Sequence, residues 1–263
     1  MQDDGLGDWR IQAATTLAKD VSSAYPGGPS HKAGTPVHLS TTTRDAKKRP
    51  FGFVTPSATA LALSIAMKTA EEANDLFAEL IFDDVFTPQG KGRGVSYKDV
   101  EPLYDYFEFC MIAVTFSFQA LETFCNHTIA EELKGTFNLQ RRKDVKSFTP
   151  LELEREAATE EKLCNVLPVI VGIASPKGKR VSENFVKLKR ARDATIHFKS
   201  TDQYPNRYSK TQVVDRDTLF FQFLNNDPSD FPKFAINMIK YFQVKETPRW
   251  FWTRSSSPER RNE

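Results

Sequence analysis

The sequence predicts an all-α fold, a helical bundle preceded by a poorly structured N-terminal arm. Apolar residues recur at helical spacing in several long segments, residues that cap helices precede them, and alternating strand patterns are scarce. Helices joined by loops bury such apolar stripes against one another in a bundle. We therefore expect an N-terminal extension (1–54), a helical domain (55–245) and a C-terminal tail (246–263).

The first region is rich in Gly, Pro, Ser and Thr and contains the basic stretch "RDAKKRP". These residues favour loops and give no helical period, so the region is predicted to be a flexible extension. A short strand at 51–54 is the one regular element expected there. Order is expected to begin at Thr55, an N-cap before Pro56, with a helix that continues to about Phe82.

A second helix is predicted from about Glu101 to Lys134. Between Phe107 and Phe124 it is apolar nearly all round, which is typical of the central helix of a core. Glu122 interrupts this stretch. A carboxylate at that place must be paired, neutralised, placed at a cleft, or directed along a narrow solvated stripe.

The C-terminal half shows three further helices. One begins with the capping box "TPLE", in which Thr149 and Glu152 bond reciprocally, and Pro168 is expected to kink or end it. Another begins near Ser182. The segment "TQVVDRDTLFFQFL" fits two short strands or a short helix, and the last helix follows an i, i+3, i+4 pattern over 231–242.

Composition excludes several classes of protein. The 36 basic residues nearly balance the 34 acidic ones, so a polyanion partner has to be held by a local patch. The three cysteines lie in apolar runs without metal-ligand spacing, which predicts buried thiols in a reducing compartment and no metal or cofactor site. The N-terminus has no apolar signal region, and the longest charge-free apolar run is too short for a bilayer. We expect a cytoplasmic protein without membrane contact.

The stretch "KLKRARDATIHFKS", Lys187 to Ser200, carries the candidate chemistry. On an ideal helix, Arg192 falls inside the apolar stripe and His197 lies about 140° further round. Asp193 precedes His197 by one turn and could orient its ring. Histidine near neutral pH is a general acid or base, and arginine stabilises negative charge, which is what cleavage of RNA by its own 2′-hydroxyl requires.

The surroundings of the pair are basic. Between 177 and 199 only Glu183 and Asp193 oppose the cations Lys177, Lys179, Arg180, Lys187, Lys189, Arg190, Arg192 and Lys199. Such an excess could hold a polyanion backbone. The same residues admit a structural interpretation, because cations near a helix C-terminus offset the macrodipole.

"RDATIH" resembles the R-x4-6-H signature of HEPN domains (higher eukaryotes and prokaryotes nucleotide-binding), in which a polar residue follows the arginine. "ENFVKLKRA" is similar to the helix that leads into this motif, and "FSFQALETFCNHTIAEEL" to an early helix of the family. The resemblance implies that Arg192 and His197 are the motif pair and that Asp193 supports them. It makes Glu122 a weaker candidate to line the cleft.

The family likeness also implies an activity. Many HEPN proteins are metal-independent endoribonucleases that act on RNA as homodimers, serve as toxins or in defence against phage, and are controlled by an antitoxin or activator protein. Others have lost the chemistry and act as binding or dimerisation modules. Arg190 also fits the motif at its longer spacing, and Arg190, Lys189 and Lys199 are candidate substrate-binding residues.

Overall fold

A computed structural model describes residues 7–23, 26–87, 90–141, 144–203 and 218–242. The predicted tail at 246–263 lies outside these residues, as do 211–217 of the segment for which both strands and a helix were open. Within the described residues, the chain divides into two compact units, the first ending at Leu61 and the second beginning at Ala62.

The all-α prediction is wrong. Of the residues that the structure describes, 54% are helical and 19% are strand, and these strands form four small antiparallel sheets of two strands each. Each pair is a local ribbon with little buried surface. Such strands do not need the alternation of apolar and polar residues that reveals a half-buried sheet.

The first unit is built from two of these ribbons, so the prediction of a poorly structured arm is also wrong. Strand β1 (Ala14–Thr16) pairs with β2 (Pro36–His38), and β3 (Ser40–Arg44) pairs with β4 (Pro50–Val54). The expected strand at 51–54 is confirmed within β4. A bridge between Ile11 and Pro56 ties the start of the unit to its end.

Helix α1 (Ala58–Glu79) begins later than the sequence predicts. The backbone N–H of Ala60 donates to the Ser57 hydroxyl at 3.2 Å, so Ser57 takes the capping role expected of Thr55. The backbone N–H of Thr55 instead donates to the Leu39 carbonyl. Helix α1 is followed by the ribbon of β5 (Phe82–Thr87) and β6 (Gly90–Val95).

Helix α2 (Val100–Glu132) is the centre of the second unit, as predicted. Its buried residues are Tyr106, Cys110, Ala113, Val114, Ser117, Phe118, Ala120, Leu121, Phe124, Cys125 and Ile129. Together with the turn before it, the helix is long and apolar enough to cross a membrane by length and composition. That is weak evidence for a span, because a buried core helix passes the same test.

The next part of the chain begins with the ribbon of β7 (Phe137–Arg141) and β8 (Asp144–Phe148). The predicted capping box is confirmed at the start of helix α3 (Pro150–Glu156): the Glu152 N–H donates to the Thr149 hydroxyl at 3.3 Å, and the Thr149 N–H donates to the Glu152 carboxylate at 2.7 Å. The expected single helix is broken after α3.

Helix α4 (Thr159–Glu161) runs into a π-helical segment (Lys162–Val166) and then helix α5 (Leu167–Val171). Pro168 has no N–H to donate to the carbonyl of Cys164, four residues earlier. The Ser175 hydroxyl donates to that carbonyl instead, at 2.8 Å. The helix does not end at Pro168 but continues to Val171. The widened turn before the proline and the bond from Ser175 compensate for its missing N–H.

The chain ends with helices α6 (Arg180–Ile196), α7 (Ser200–Gln203), α8 (Leu219–Leu224) and α9 (Asp230–Phe242). The last helix matches its prediction, and 219–224 is helical as one of the two readings proposed. Helices α2, α6 and α9 contact one another and form the core of the second unit. Phe118 of α2 meets Phe185 of α6, with ring centroids 6.1 Å apart.

Candidate functional site at the end of helix α6

Helix α6 presents an apolar stripe of Phe185, Leu188, Ala191 and Ala194, all buried. The repeat of three residues directs this stripe toward the core. On an ideal helix Ile196 would belong to the same stripe, but in the structure it is largely exposed. The helix ends there, and His197 follows with φ −112° and ψ 71°, outside the helical region.

Arg192 lies against helix α2, on the side where the wheel placed it. Its guanidinium carbon is 3.9 Å from the centre of the Phe118 ring, in a cation–π contact. One terminal nitrogen, Nη1, is 3.0 Å from a carboxylate oxygen of Asp193. The buried Nε has no hydrogen-bond partner among the described residues. The side chain as a whole keeps 23% of its surface exposed.

His197 lies at the exposed end of the helix. Its backbone N–H donates to the Asp193 carbonyl at 2.9 Å. In the part of the chain that the structure describes, its ring makes no hydrogen bond or ion pair, with Arg192 or with any other residue. The two motif residues therefore share a helix end without a bond between their side chains.

Asp193 does not orient the histidine as the sequence predicted. Its carboxylate pairs with Arg192, while its backbone carbonyl accepts from His197. A carboxylate near a guanidinium holds that group in place and partly neutralises it. The role that the geometry supports for Asp193 is positioning of Arg192.

The two candidate arginines occupy different surroundings. Arg190 is exposed, and its side chain has no hydrogen-bond or ion-pair partner among the described residues. It precedes His197 by seven residues, which on a helix brings two side chains to one face. Arg192 is the half-buried candidate that packs on Phe118, and Arg190 is the exposed candidate on the histidine's side.

The other predicted substrate-binding cations differ in availability. Lys189 is paired with Glu160, at 2.6 Å between Nζ and the carboxylate. Lys199 is exposed, and its backbone N–H, rather than its amine, donates to Asp202. Within the described ranges, the side chains of Arg180 and Lys187 are also exposed and unpartnered. The basic surface of α6 is therefore smaller than the sequence count suggests.

Glu122 lies half-buried on helix α2, one turn beyond Phe118. Residues four apart on a helix are neighbours on one face, so Glu122 follows the ring that carries Arg192. No ion pair between Glu122 and Arg192 is present. Glu122, Arg192 and His197 were predicted to line one cleft, and no hydrogen bond or ion pair among the described residues links the three side chains.

A buried lysine was missed by the sequence reading. Lys162, in the π-helical segment, has no exposed surface, and its amine donates to the Asn126 side-chain oxygen and to the Glu154 carbonyl, each at 2.8 Å. Burial raises the pKa of the neighbouring Cys125 thiol, and the charge of Lys162 offsets part of that rise. The signal was the position of Lys162 at the border of the acidic and apolar halves of "EEKLCNV".

Among the described residues, no group of three or more His, Cys, Asp or Glu side chains is arranged to hold a metal ion. Comparison of the chain with protein-family models, with curated proteins and with solved structures finds no match. The likeness to HEPN domains therefore rests on the two sequence segments that carry it.

Proposed function

We propose that the chain is a metal-independent endoribonuclease of HEPN type, acting at the C-terminal end of helix α6. The observation that carries the proposal is that an arginine and a histidine, which suit the two chemical functions of the reaction, lie at the same end of helix α6. An arginine at the edge of the core, with 23% of its side-chain surface exposed, lies five residues before an exposed histidine. A cation and an acid–base group are the two functions that the reaction needs.

In the proposed step, His197 takes the proton of the ribose 2′-hydroxyl as its oxygen attacks the neighbouring phosphorus. The bond from phosphorus to the 5′-oxygen breaks, and a protonated histidine returns a proton to that leaving oxygen. The products are a 2′,3′-cyclic phosphate and a 5′-hydroxyl. Arg192, held by Asp193, stabilises the negative charge that develops on the phosphoryl oxygens.

The proposal includes a homodimer. Within one protomer, the guanidinium of Arg192 faces Phe118, whereas His197 lies beyond the helix end. A two-fold interface over the end of α6 would bring the arginine of one protomer to the histidine of the other. The unpartnered cations Arg190 and Lys199 would then flank the RNA backbone at this interface.

Cleavage of a labelled mixture of tRNA and mRNA in EDTA tests the proposal. Wild type should produce ends with 2′,3′-cyclic phosphate. His197→Ala and Arg192→Ala should lose cleavage by a factor of about 100 or more, as expected for a general acid–base group and a charge-stabilising group. Arg190→Ala distinguishes the two candidate arginines.

Arg180→Ala is the matched control. It removes an unpartnered cation from the same helix, about 18 Å along the axis from Arg192. It should retain cleavage. Equal activity of wild type and His197→Ala in folded preparations would remove the enzyme proposal. Light scattering on the same samples measures the predicted dimer.

A second candidate is a non-catalytic helical module that dimerises or binds a nucleotide or protein. One observation favours it: the Arg192 guanidinium already packs on Phe118 and pairs with Asp193, which is what a structural arginine does. This candidate predicts a folded dimer with no cleavage of any RNA in the mixture. Antitoxin or activator proteins, if the first proposal holds, would be sought by their effect on cleavage.

A further inference from the structure

We infer that the ribbon formed by β3 and β4 in the first unit binds single-stranded nucleic acid by stacking bases on Phe51 and Phe53. This inference concerns a surface outside helix α6 and does not depend on RNA cleavage. It begins from the exposure of the ribbon. Every residue of both strands is exposed, including the two phenylalanines, at 54% and 36%.

The two aromatic rings lie on one face of the ribbon. Phe51 is opposite Thr43 and Phe53 is opposite Thr41, while Gly52 between them faces the other way. The ring centroids are 5.9 Å apart. The residues opposite the rings are small threonines, and both phenylalanines remain exposed. Two exposed rings at alternate positions of a strand form a platform on which successive bases stack.

The order of residues along β4 agrees with this use. The chain reads Arg-Pro-Phe-Gly-Phe-Val from Arg49 to Val54, and base-stacking strands of RNA-recognition modules read basic-Gly-aromatic-Gly-aromatic-Val. Pro50 departs from that pattern. The likeness is local, because here the strand belongs to a two-stranded ribbon and not to a four-stranded sheet.

The turn of the ribbon supplies positive charge next to the rings. It carries Arg44, Lys47, Lys48 and Arg49 against the single carboxylate of Asp45. Asp45 accepts from the backbone N–H groups of Lys47 and Arg49, each at 2.9 Å, and pairs with the Arg49 side chain at 2.7 Å. The turn is therefore held in one conformation by its own acid.

The two lysines of the turn are left to contact a ligand. In the described part of the chain, neither the Lys47 nor the Lys48 ammonium group has a hydrogen bond or ion pair. Lys48 has a positive φ of 62°, a conformation usually taken by glycine or asparagine. The positive φ costs conformational energy at a lysine, and it places Lys48 in the turn between β3 and β4, where its ammonium group has no partner among the described residues.

The arrangement favours nucleic acid over a membrane surface. A ribbon that inserts into a bilayer presents its apolar side chains at the tip, where they enter first. Here the tip is cationic and the rings lie behind it on the strand, so insertion would bury the lysines before the phenylalanines. A nucleic acid strand has both matching parts, a phosphate backbone for the lysines and bases for the rings.

Fluorescence anisotropy with a fluorescein-labelled 12-nucleotide single-stranded RNA tests the inference. The full chain is used with His197→Ala, in EDTA, so that cleavage cannot alter the probe. The double variant Phe51→Ala with Phe53→Ala should weaken binding about tenfold or more. Lys47→Gln with Lys48→Gln should weaken binding and reduce the slope of log K against log salt by about 1.4, since each single-strand phosphate contact contributes about 0.7.

Phe86→Ala is the matched control. Phe86 is 88% exposed on the β5–β6 ribbon, where two acidic and two basic side chains balance. This variant should bind RNA as wild type does. Unchanged RNA binding by the double phenylalanine variant, with an unchanged circular dichroism spectrum, would overturn the inference. So would absence of RNA binding by the parent chain, including the case in which it binds phosphatidylserine vesicles through Phe51 and Phe53.

Discussion

Replacement of Arg192 by methionine should change the free energy of unfolding by no more than about 1 kcal/mol. Methionine keeps an unbranched stem over Phe118 and removes the guanidinium. The cation–π contact at 3.9 Å is then lost, which costs about 1 kcal/mol, and so is the ion pair with the partly exposed Asp193, which costs about 0.5 kcal/mol. Against these losses, the variant no longer buries the unpartnered Nε, a relief of about 1 kcal/mol.

The small net change follows because these contributions oppose one another. Urea denaturation followed by circular dichroism measures it, with Arg190→Met as the control for removing an exposed cation from the same helix. In a thermal scan, the midpoint of Arg192→Met should stay within about 4 °C of wild type. A loss above about 3 kcal/mol would refute the reasoning, because it would mean that the guanidinium neutralises a buried charge. Arg192 would then be a structural residue.

Three further predictions concern the second unit. Tyr106→Phe should cost about 1 to 2 kcal/mol in urea denaturation, because the buried tyrosine hydroxyl donates to the Phe223 carbonyl at 2.8 Å and the variant leaves that carbonyl unpaired; a neutral result would mean that water replaces the bond. Thr149→Ala should also destabilise the fold, by about 1 kcal/mol at pH 7. The backbone N–H of Thr149 and then its hydroxyl lower the pKa of Glu152, and the variant removes only the hydroxyl. The part of the stabilisation that comes from the bond between this hydroxyl and the carboxylate is present above the ordinary value of 4.5 and is lost as pH falls through the lowered pKa, whereas the bond from the Glu152 N–H to the hydroxyl persists. The difference between wild type and variant should therefore shrink partly in acid, and a constant difference contradicts the assignment. The three cysteine thiols are buried, and burial raises their pKa values. Ellman's reagent should therefore react slowly with the thiols of the native protein, whereas in denaturant it should react with all three. A native thiol that reacts fast would contradict their burial.

The helices of the second unit were predictable because burial leaves a period in the sequence. Helix α2 is apolar nearly all round and proved to be the core helix, and the last helix matches its pattern over 231–242. The capping box at Thr149 was predictable because both of its bonds depend on residues three apart. These features are encoded by neighbours in the chain.

The four ribbons were not predictable in the same way. Strand β3 reads Ser-Thr-Thr-Thr-Arg and is exposed on both faces, so no alternation marks it. The widened turn before Pro168 was hidden for a different reason. The sequence shows Pro168, but the partner that satisfies the freed carbonyl is Ser175, beyond the end of helix α5.

The sequence predicted on which side of helix α6 the candidate residues lie, and not which residues they contact. The wheel placed Arg192 toward the core and His197 away from it, and both placements agree with the structure. The partner of Asp193 was predicted wrongly, since its carboxylate pairs with Arg192 and not with His197. A carboxylate within reach of two cationic groups pairs preferentially with the one that is charged at all times. Arginine is always charged, whereas histidine is charged only when protonated.

The π-helical segment at Lys162–Val166 gives this part of the chain one residue that an α-helix would not need. The Leu167 N–H donates to the Lys162 carbonyl, five residues earlier, so the turn holds one residue more than an α-helical turn. Deleting one residue would convert it to an α-helical turn and leave the two sides of the helix in nearly the same rotational phase, because the wider turn accommodates the extra residue within one revolution. Leu167 would stay in the core, so homologous chains should tolerate a one-residue gap between these two positions.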